Sequence, residues 1–574
     1  MAFNTKYGNF RRLLKIPNSF NIYDVTKIVK RNNAHLIDYS MKSLYEIPEN
    51  IVNNFHVANA SLWDNMLYYF HSGVQISYGD IIHDLRQVHP QLNEFKATKT
   101  IESIIKLLSS CKNVIEFTYP VEKENGKIDV INAYRVQHTL YKEPCIGGVR
   151  LSEKLSVADL KGLAALITFQ NSNLNLPFGG SFGGIAINPS NYCTRDLRRI
   201  VTTYAIECAK HGFLDPAKDV FQPDLNLTSR EMSWMTDSFQ QTLGHNNVNS
   251  YAAVLGKPMN RKGLQNYNEA AAYAVYFTIS NLLMDNEKMS VLNLTPNWSD
   301  KTYVIHGFGR VGQSIAQCFY NTGAKCVGIQ ERDGVAIFNS EGLNIPNLIQ
   351  HYKEHKSILD FSDAQEYQSD VIGYCADILV LAGPHKTVHC FNVQSITSKI
   401  IVEAAFCAIT PTAHKTLMSK NAIILPDIQV ATGCQIAAYM EYLKNINHIS
   451  FGQIGKEPVR SPDLINEEEM QSVIAEATGE TIISPEDVVT DNVQNFNKLN
   501  KMRLNCDFNE GEIVKNVIET NIIRTIEETN ETCEKYGLGM DLRMACYVSA
   551  IKRIVNAYID TGKFDNFFYD ELKH

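Results

Sequence analysis

The sequence predicts an α/β fold: a mixed α/β first half, then a unit of helices wound around a mostly parallel sheet, with an insertion near its end. Three observations carry this. After about residue 300, short apolar runs alternate with helical patterns, the rhythm of βαβ units. A glycine-rich turn, Gly307-Phe308-Gly309-Arg310-Val311-Gly312, sits directly between one such run and the helix that follows. The first half instead joins helices, apolar at three-and-four spacing, to a pair of extended runs about a turn.

The elements follow in order. Residues 62–112 read as helical, with Ile101, Ile104, Ile105, Leu107 and Leu108 at helical spacing. Residues 114–119 and 130–136 read as strands around Glu124-Asn125-Gly126. Helices are expected over 157–169, with Ser156 as N-cap, and 194–211, closed by Gly212. Strands follow at 302–306, 325–330, 377–381, 399–402 and 422–425, with a helix over 311–320. From about 444 to 500 the chain turns polar and reads as an insertion standing off the core. Its acidic run, Glu467-Glu468-Glu469, reads as a solvated helix face. Residues 541–559 form an amphipathic helix.

Composition narrows the class. The chain has 574 residues, 44% hydrophobic and 20% charged, enough for two or three domains with full cores. A net charge of −8 without a long basic block weighs against nucleic acid and anionic membranes as partners. No apolar run reaches the roughly 18–20 residues of a membrane span. Thirteen cysteines without a CxxC pair or regular spacing indicate reduced thiols, with no disulfide framework and no metal site expected. A large acidic soluble chain of this kind is usually an enzyme. No acid precedes Asp24, Lys6, Arg11, Arg12 and Lys15 are basic, and Phe10, Leu13 and Leu14 share a helical face. That is the pattern of a mitochondrial transit segment; a cytoplasmic location is the alternative.

The glycine turn has a mechanism. Its glycines permit a tight turn and let backbone N–H groups approach a pyrophosphate at a helix N-terminus. Glu331 ends the next strand, where an acid would meet a ribose 2′-hydroxyl. A dinucleotide, NAD or NADP, is the ligand class expected. Arg310 reads either as a phosphate contact or as a solvent-facing side chain.

Several segments together resemble the glutamate dehydrogenase family. They are Cys145-Ile146-Gly147-Gly148-Val149-Arg150, Leu176-Pro177-Phe178-Gly179-Gly180-Ser181-Phe182-Gly183-Gly184, Phe221-Gln222-Pro223-Asp224, Arg230-Glu231-Met232-Ser233-Trp234 and the glycine turn. The resemblance covers roughly residues 62–559 and is nearest to the animal-type mitochondrial hexameric enzymes. It implies a leader (1–58), a substrate and oligomerisation domain (59–265), a Rossmann-like domain (266–443), an antenna-like insertion (444–505) and C-terminal helices returning to the cleft (506–574). It also implies a homohexamer, or a mixed oligomer with an active paralogue.

The departures from the family carry the functional reading. The family reaction oxidises glutamate at Cα, passing a hydride to nicotinamide before water attacks the imine. It needs a lysine of lowered pKa to activate water, a carboxylate to move protons, and cations for a dianionic substrate. Phe182 stands where the resemblance places the catalytic lysine, and Ile146 and Gln170 stand where it places two further lysines. Ala438 replaces a serine that helps bind the side-chain carboxylate. Tyr267 and Ala271 replace an arginine and a threonine that contact substrate and nicotinamide. Phe406, in Glu403-Ala404-Ala405-Phe406, replaces an asparagine beside the nicotinamide, and Ala431 replaces a second asparagine. Asp224 alone remains of the catalytic set, beside Arg150.

Losing one general base typically costs about 10²–10⁴ in rate, and each charge-assisted hydrogen bond is worth roughly 1.5–3 kcal/mol. Three lysines, an arginine and a serine are replaced together. The leading expectation is therefore a pseudoenzyme, structural or regulatory. The alternatives are an NAD(P)-dependent oxidoreductase acting on glutamate or an altered substrate, and a nucleotide sensor that holds the adenosine half alone. Lys161 and Lys262 read as surface charge, His306 as a satisfied core histidine, and Cys407 and Cys434 as inert buried thiols. Asp224 reads as an aspartate kept for hydrogen bonds in its loop.

Overall fold

The computed structural model describes residues 45–54, 60–451 and 509–561. The first domain runs α1 (Glu49–Asn54), α2 (Leu62–Val88), α3 (Glu94–Leu108), β1 (Asn113–Glu122), β2 (Ile128–Thr139), β3 (Cys145–Leu151), α4 (Val157–Asn173), β4 (Gly179–Ile185), α5 (Thr194–Lys210), β5 (Asp219–Pro223) and α6 (Ser229–Gln241). Its sheet has the order β1-β2-β4-β3-β5. β1, β2 and β4 pair antiparallel, and β4, β3 and β5 pair parallel.

Local chemistry sets these boundaries. Ser61 and Asp64 form a reciprocal capping box at the start of α2. The helical stretch expected over 62–112 breaks after Val88, and Asn93 restarts it by accepting from the Lys96 amide at 2.8 Å. Ser156 caps α4 as expected, and Gly212 takes a φ of +76° beyond α5. β4 is glycine-rich because α4 lies flat against it: a Cβ on Gly180 would collide with the backbone of Ala164 and Thr168.

The second domain runs α7 (Ala270–Met284), α8 (Asn286–Leu292), β6 (Thr302–His306), α9 (Arg310–Tyr320), β7 (Lys325–Gln330), β8 (Ala336–Phe338), α10 (Ile345–His355), β9 (Gln365–Glu366), β10 (Ile378–Leu381), β11 (Ile400–Glu403), α11 (Pro411–Ser419), β12 (Ile423–Leu425), α12 (Asp427–Val430) and α13 (Gly433–Ile446). The strand order is β12-β11-β10-β6-β7-β8-β9. Strands β12 through β7 are parallel, and β8 and β9 add an antiparallel margin. Consecutive connections reverse direction between β6 and β10, so a crevice opens at their carboxyl ends, beside Gly307 and Gly383.

Two helices close the fold. α14 (Glu510–Tyr536) packs on α7 and α13 of the second domain, and α15 (Leu542–Asp560) packs on α2 and α4 of the first. Among the described residues no helix is long and apolar enough to cross a membrane. The basic segment before Asp24, and the insertion beyond its first residues with Glu467-Glu468-Glu469, lie outside the described residues. Tyr45, within the stretch read as a leader, is packed: its ring lies 5.2 Å from that of Tyr78 and its hydroxyl bonds His71 Nδ1 at 2.6 Å.

Candidate functional site

Four of the positions expected to depart from the family pattern meet between the domains. Ile146 comes from β3, Phe182 from β4, Tyr267 from the turn before α7, and Ala438 from α13. All four are buried in one apolar cluster, against which Phe406 packs. Ala271 is buried in the first turn of α7. Phe182 is 0% exposed, and the Arg150 guanidinium lies 4.9 Å from its ring centre. The ring sits so close to Gly148 that a Cβ there would lie 2.9 Å from it. Two polar atoms in this region are buried without a protein partner, the Tyr267 hydroxyl and Gln222 Nε2. Burial pushes the Tyr267 phenol well above its usual range.

Asp224 is committed to a partner. Its Oδ2 accepts from Arg150 Nε at 2.7 Å, and its amide donates to the Val149 carbonyl at 3.1 Å. The two side chains keep only 12% and 18% of their exposure. A carboxylate in this setting anchors a loop and an arginine.

Gln170 is fully buried on α4. Its Nε2 donates to the Asp427 carbonyl at 2.9 Å and to the Ala431 carbonyl at 3.5 Å, and its Oε1 accepts from Gln435 Nε2 at 3.2 Å. A neutral amide thus joins the domains at a position where the resemblance implies a cation. Lys257 is the buried lysine of this region. Its ammonium lies 2.7 Å from Glu441 Oε1 and also donates to the Val254 carbonyl, so it is spent on a closed pair. Burial lowers its pKa. Lys262 is exposed and holds its ammonium 4.4 Å from the ring centre of Tyr251, and Lys161 lies on α4 near Cys111.

The glycine turn leaves open space at a helix N-terminus. Gly307 has a φ of +104° and presses on the Gly383 backbone, while a Cβ on Gly312 would strike the Gly307 carbonyl. Around Gly309, by contrast, a Cβ would meet nothing within 4 Å, and the α9 N-terminus has no side-chain cap. Phe308 is buried in the core and Val311 is half-buried. Arg310 is engaged with the protein: its Nη2 donates to the Leu227 carbonyl of the first domain at 2.8 Å. Glu331 Oε2 already accepts from Ser357 Oγ at 3.2 Å and the Ile358 amide at 3.1 Å. The turn fits a pyrophosphate. At the opposite end, the side chains of Phe406 and Ala271 themselves carry no polar group.

His306 differs from expectation. Its Nδ1 is buried without a partner, a Cβ on Gly383 would lie 2.6 Å from that nitrogen, and burial lowers its pKa. The thiols of Cys407 and Cys434 are enclosed although each residue keeps some exposed surface. Burial pushes Cys434 up to about 11 and Cys407 well above its usual range, away from reactive thiolate. Among the described residues no His, Cys, Asp and Glu cluster has metal-binding geometry. Sequence reasoning missed a buried network of Arg543, Glu403 and Asp427 beneath the cleft. The sequence carried no signal for it, because the helix reads as amphipathic.

Two family models match the chain: the dimerisation domain of Glu/Leu/Phe/Val dehydrogenases over residues 111–241, and the Glutamate/Leucine/Phenylalanine/Valine dehydrogenase model over residues 263–481. The mitochondrial glutamate dehydrogenase of Dictyostelium discoideum is 30% identical over 465 residues, spanning 80% of this chain and 88% of that protein. The Thermotoga maritima glutamate dehydrogenase is 29% identical over 359 residues, spanning 62% and 83%. Among solved structures, a hetero-hexameric glutamate dehydrogenase from Thermus thermophilus in its leucine-bound form has a TM-score of 0.63 at 23% identity, covering 84% of this chain and 96% of that one. A Plasmodium falciparum glutamate dehydrogenase reaches 0.65 at 17% identity, covering 95% and 97%. At these identities the solved structures establish the shared fold.

Proposed function

The chain belongs to the Glu/Leu/Phe/Val dehydrogenase family, and from that premise we propose that it is a pseudoenzyme of the family, a structural or regulatory protein that has lost amino-acid oxidation. The observation that carries this reading is Phe182, fully buried in an apolar cluster with Ile146, Tyr267 and Ala438.

The chemistry follows from what these residues offer. Water activation needs a base free to take a proton. Asp224 is paired to Arg150, and Lys257 to Glu441. An amino acid also brings an α-carboxylate, and a dry apolar wall repels a charge that has no partner. Ile146 offers it nothing, and the Gln170 amide is already engaged at both ends. A bound nicotinamide would supply hydride chemistry. This chain's residues would hold the pyrophosphate at Gly309 and the α9 N-terminus and give the ring only apolar contact.

The assembly proposed is a hexamer, homomeric or mixed with an active paralogue. The hetero-hexameric description of the Thermus relative supports the mixed form. The Dictyostelium relative supports a mitochondrial location. Calorimetry with 2-oxoglutarate and with glutamate tests the reading: no binding is expected at millimolar ligand, and micromolar affinity for either would overturn it.

A second reading has its own observation. The open space at Gly309 and the uncapped helix end favour an adenine nucleotide bound by its phosphates. A sensor of this kind would show a rise in Tm with NADH or ADP. An unchanged Tm at millimolar nucleotide would remove it.

A further inference from the structure

We propose that the segment immediately before Tyr45, Tyr39-Ser40-Met41-Lys42-Ser43-Leu44, docks in a groove between α2 and α3 and belongs to the first domain. The groove has a volume of about 670 Å³. Tyr78, Ile82 and Arg86 of α2, Pro90 of the turn, and Glu94 and Glu102 of α3 line it. Concave sites of about 300–1,000 Å³ bury most of a drug-sized ligand, so a few side chains fit here. Tyr78 and Ile82 are buried and apolar, while Arg86, Glu94 and Glu102 are exposed.

Tyr45 marks where the segment enters. Its ring lies 5.2 Å from that of Tyr78, and its carbonyl accepts from Gln75 Nε2 at 3.1 Å. Burial, then Tyr78 and Glu102, hold its phenol up at about 12. Both of those neighbours line the groove. Chain continuity supplies the direction. Tyr45 stands beside His71, Gln75 and Tyr78, at the middle of α2. From there the chain returns to Ser61, the N-cap of the same helix, and α1 packs on α2 along the way. That return takes the N-terminal half of α2. The C-terminal half, with the groove, is left to the chain before Tyr45.

Reach and chemistry agree with this placement. On α2 the groove extends from Tyr78 to Gln87, roughly 14 Å at 1.5 Å per residue. Four or five extended residues at about 3.3 Å each span it. Met41 and Leu44 bring apolar side chains to Tyr78 and Ile82. Lys42 brings a cation to a rim where Glu94 and Glu102 outnumber Arg86. Glu102 Oε2 already lies 3.1 Å from Lys99 Nζ, in an exposed pair that a second cation can join. The segment carries no acid of its own. Docking also shortens the leader that the resemblance implies: it would end upstream of Tyr39, and the acid-free run before Asp24 suits that. None of this depends on whether the cleft turns over.

Photo-cross-linking tests the docking in the full-length protein, with p-benzoylphenylalanine replacing Met41. After irradiation, mass spectrometry should find residue 41 joined to residues 78–102 of the same chain. Protein assembled from isotope-labelled and unlabelled chains separates the occupants. Mixed-isotope cross-links would place a second copy in the groove and overturn the proposal, as would cross-links outside 78–102 or none at all. Thr98 also lines the groove, and Thr98→Trp fills it. That variant should lower the cross-link yield at least tenfold. Should it fail to fold, Glu94→Lys with Glu102→Lys, both at exposed positions, is read for the same yield. An unchanged yield in the folded variant would overturn the docking.

Discussion

Replacing Phe182 by lysine would supply the residue that the resemblance places at this position, and on the proposed reading it should not restore the reaction. The ring removed is fully buried and carries the Arg150 guanidinium at 4.9 Å. A lysine stem refills part of that space, but an ammonium placed about 5 Å from a guanidinium is repelled by about 3 kcal/mol at an effective dielectric of 20. Burial lowers the new amine's pKa, so part of this cost is avoided by losing the proton. A neutral lysine is the form that would serve as a base, yet the substrate's carboxylates still face Ile146, Gln170, Tyr267 and Ala438. Three missing charge-assisted contacts at roughly 1.5–3 kcal/mol each leave affinity lower by about 10³ or more. The Phe182→Lys variant is expected to lose roughly 2–4 kcal/mol of stability, seen as a Tm lower by several degrees. It should also oxidise no NADH or NADPH with 2-oxoglutarate and ammonium. A turnover number in the ordinary range of about 1–10³ s⁻¹ from this single change would refute the reasoning, since it would show that the other replacements are harmless.

Arg135 is 0% exposed and donates to both oxygens of Asp219, at 3.0 and 2.5 Å, and to the Gly148 carbonyl at 3.0 Å. Arg135→Met should lower stability by about 3–5 kcal/mol in urea unfolding, and adding Asp219→Asn should recover part of that. Burial lowers the pKa of His138 to about 4, and its Nε2 donates to the Leu108 carbonyl at 3.0 Å. The unfolded chain therefore binds more protons than the native one between pH 6.5 and 4. Stability is full above the unfolded value and falls as pH drops through that window, by roughly 3 kcal/mol for this residue. Urea midpoints at pH 7.5 and 5 check it, and a flat profile would contradict the neutral buried imidazole.

The second domain was largely legible. Its buried parallel strands are continuous runs of Val, Ile and Leu, and the structure places them within a residue or two of the expected ends. The glycine-rich β4 escaped because propensity reasoning has no hold on Gly-Gly-Ser-Phe-Gly-Gly; its extended form comes from contact with α4, a tertiary cause. β8 and β9 are too short to leave a period. The degenerate positions were legible one by one. The resemblance already placed them around one pocket; that Ile146, Phe182, Tyr267 and Ala438 fill it as one buried cluster came from the structure. Arg543 was invisible for a different reason: a charge on an amphipathic helix reads as solvated, and the first two turns of α15, residues 542–548, are buried all round.

The most direct test of a degenerate cleft is steady-state turnover of the full-length protein, purified free of any paralogue. Glutamate oxidation is followed with NAD and with NADP, and 2-oxoglutarate amination with NADH and NADPH. With Phe182 in place of a base and Asp224 held by Arg150, no rate above the enzyme-free background is expected in either direction. A saturable rate of about 1 s⁻¹ or more with any of the four cofactors would contradict it.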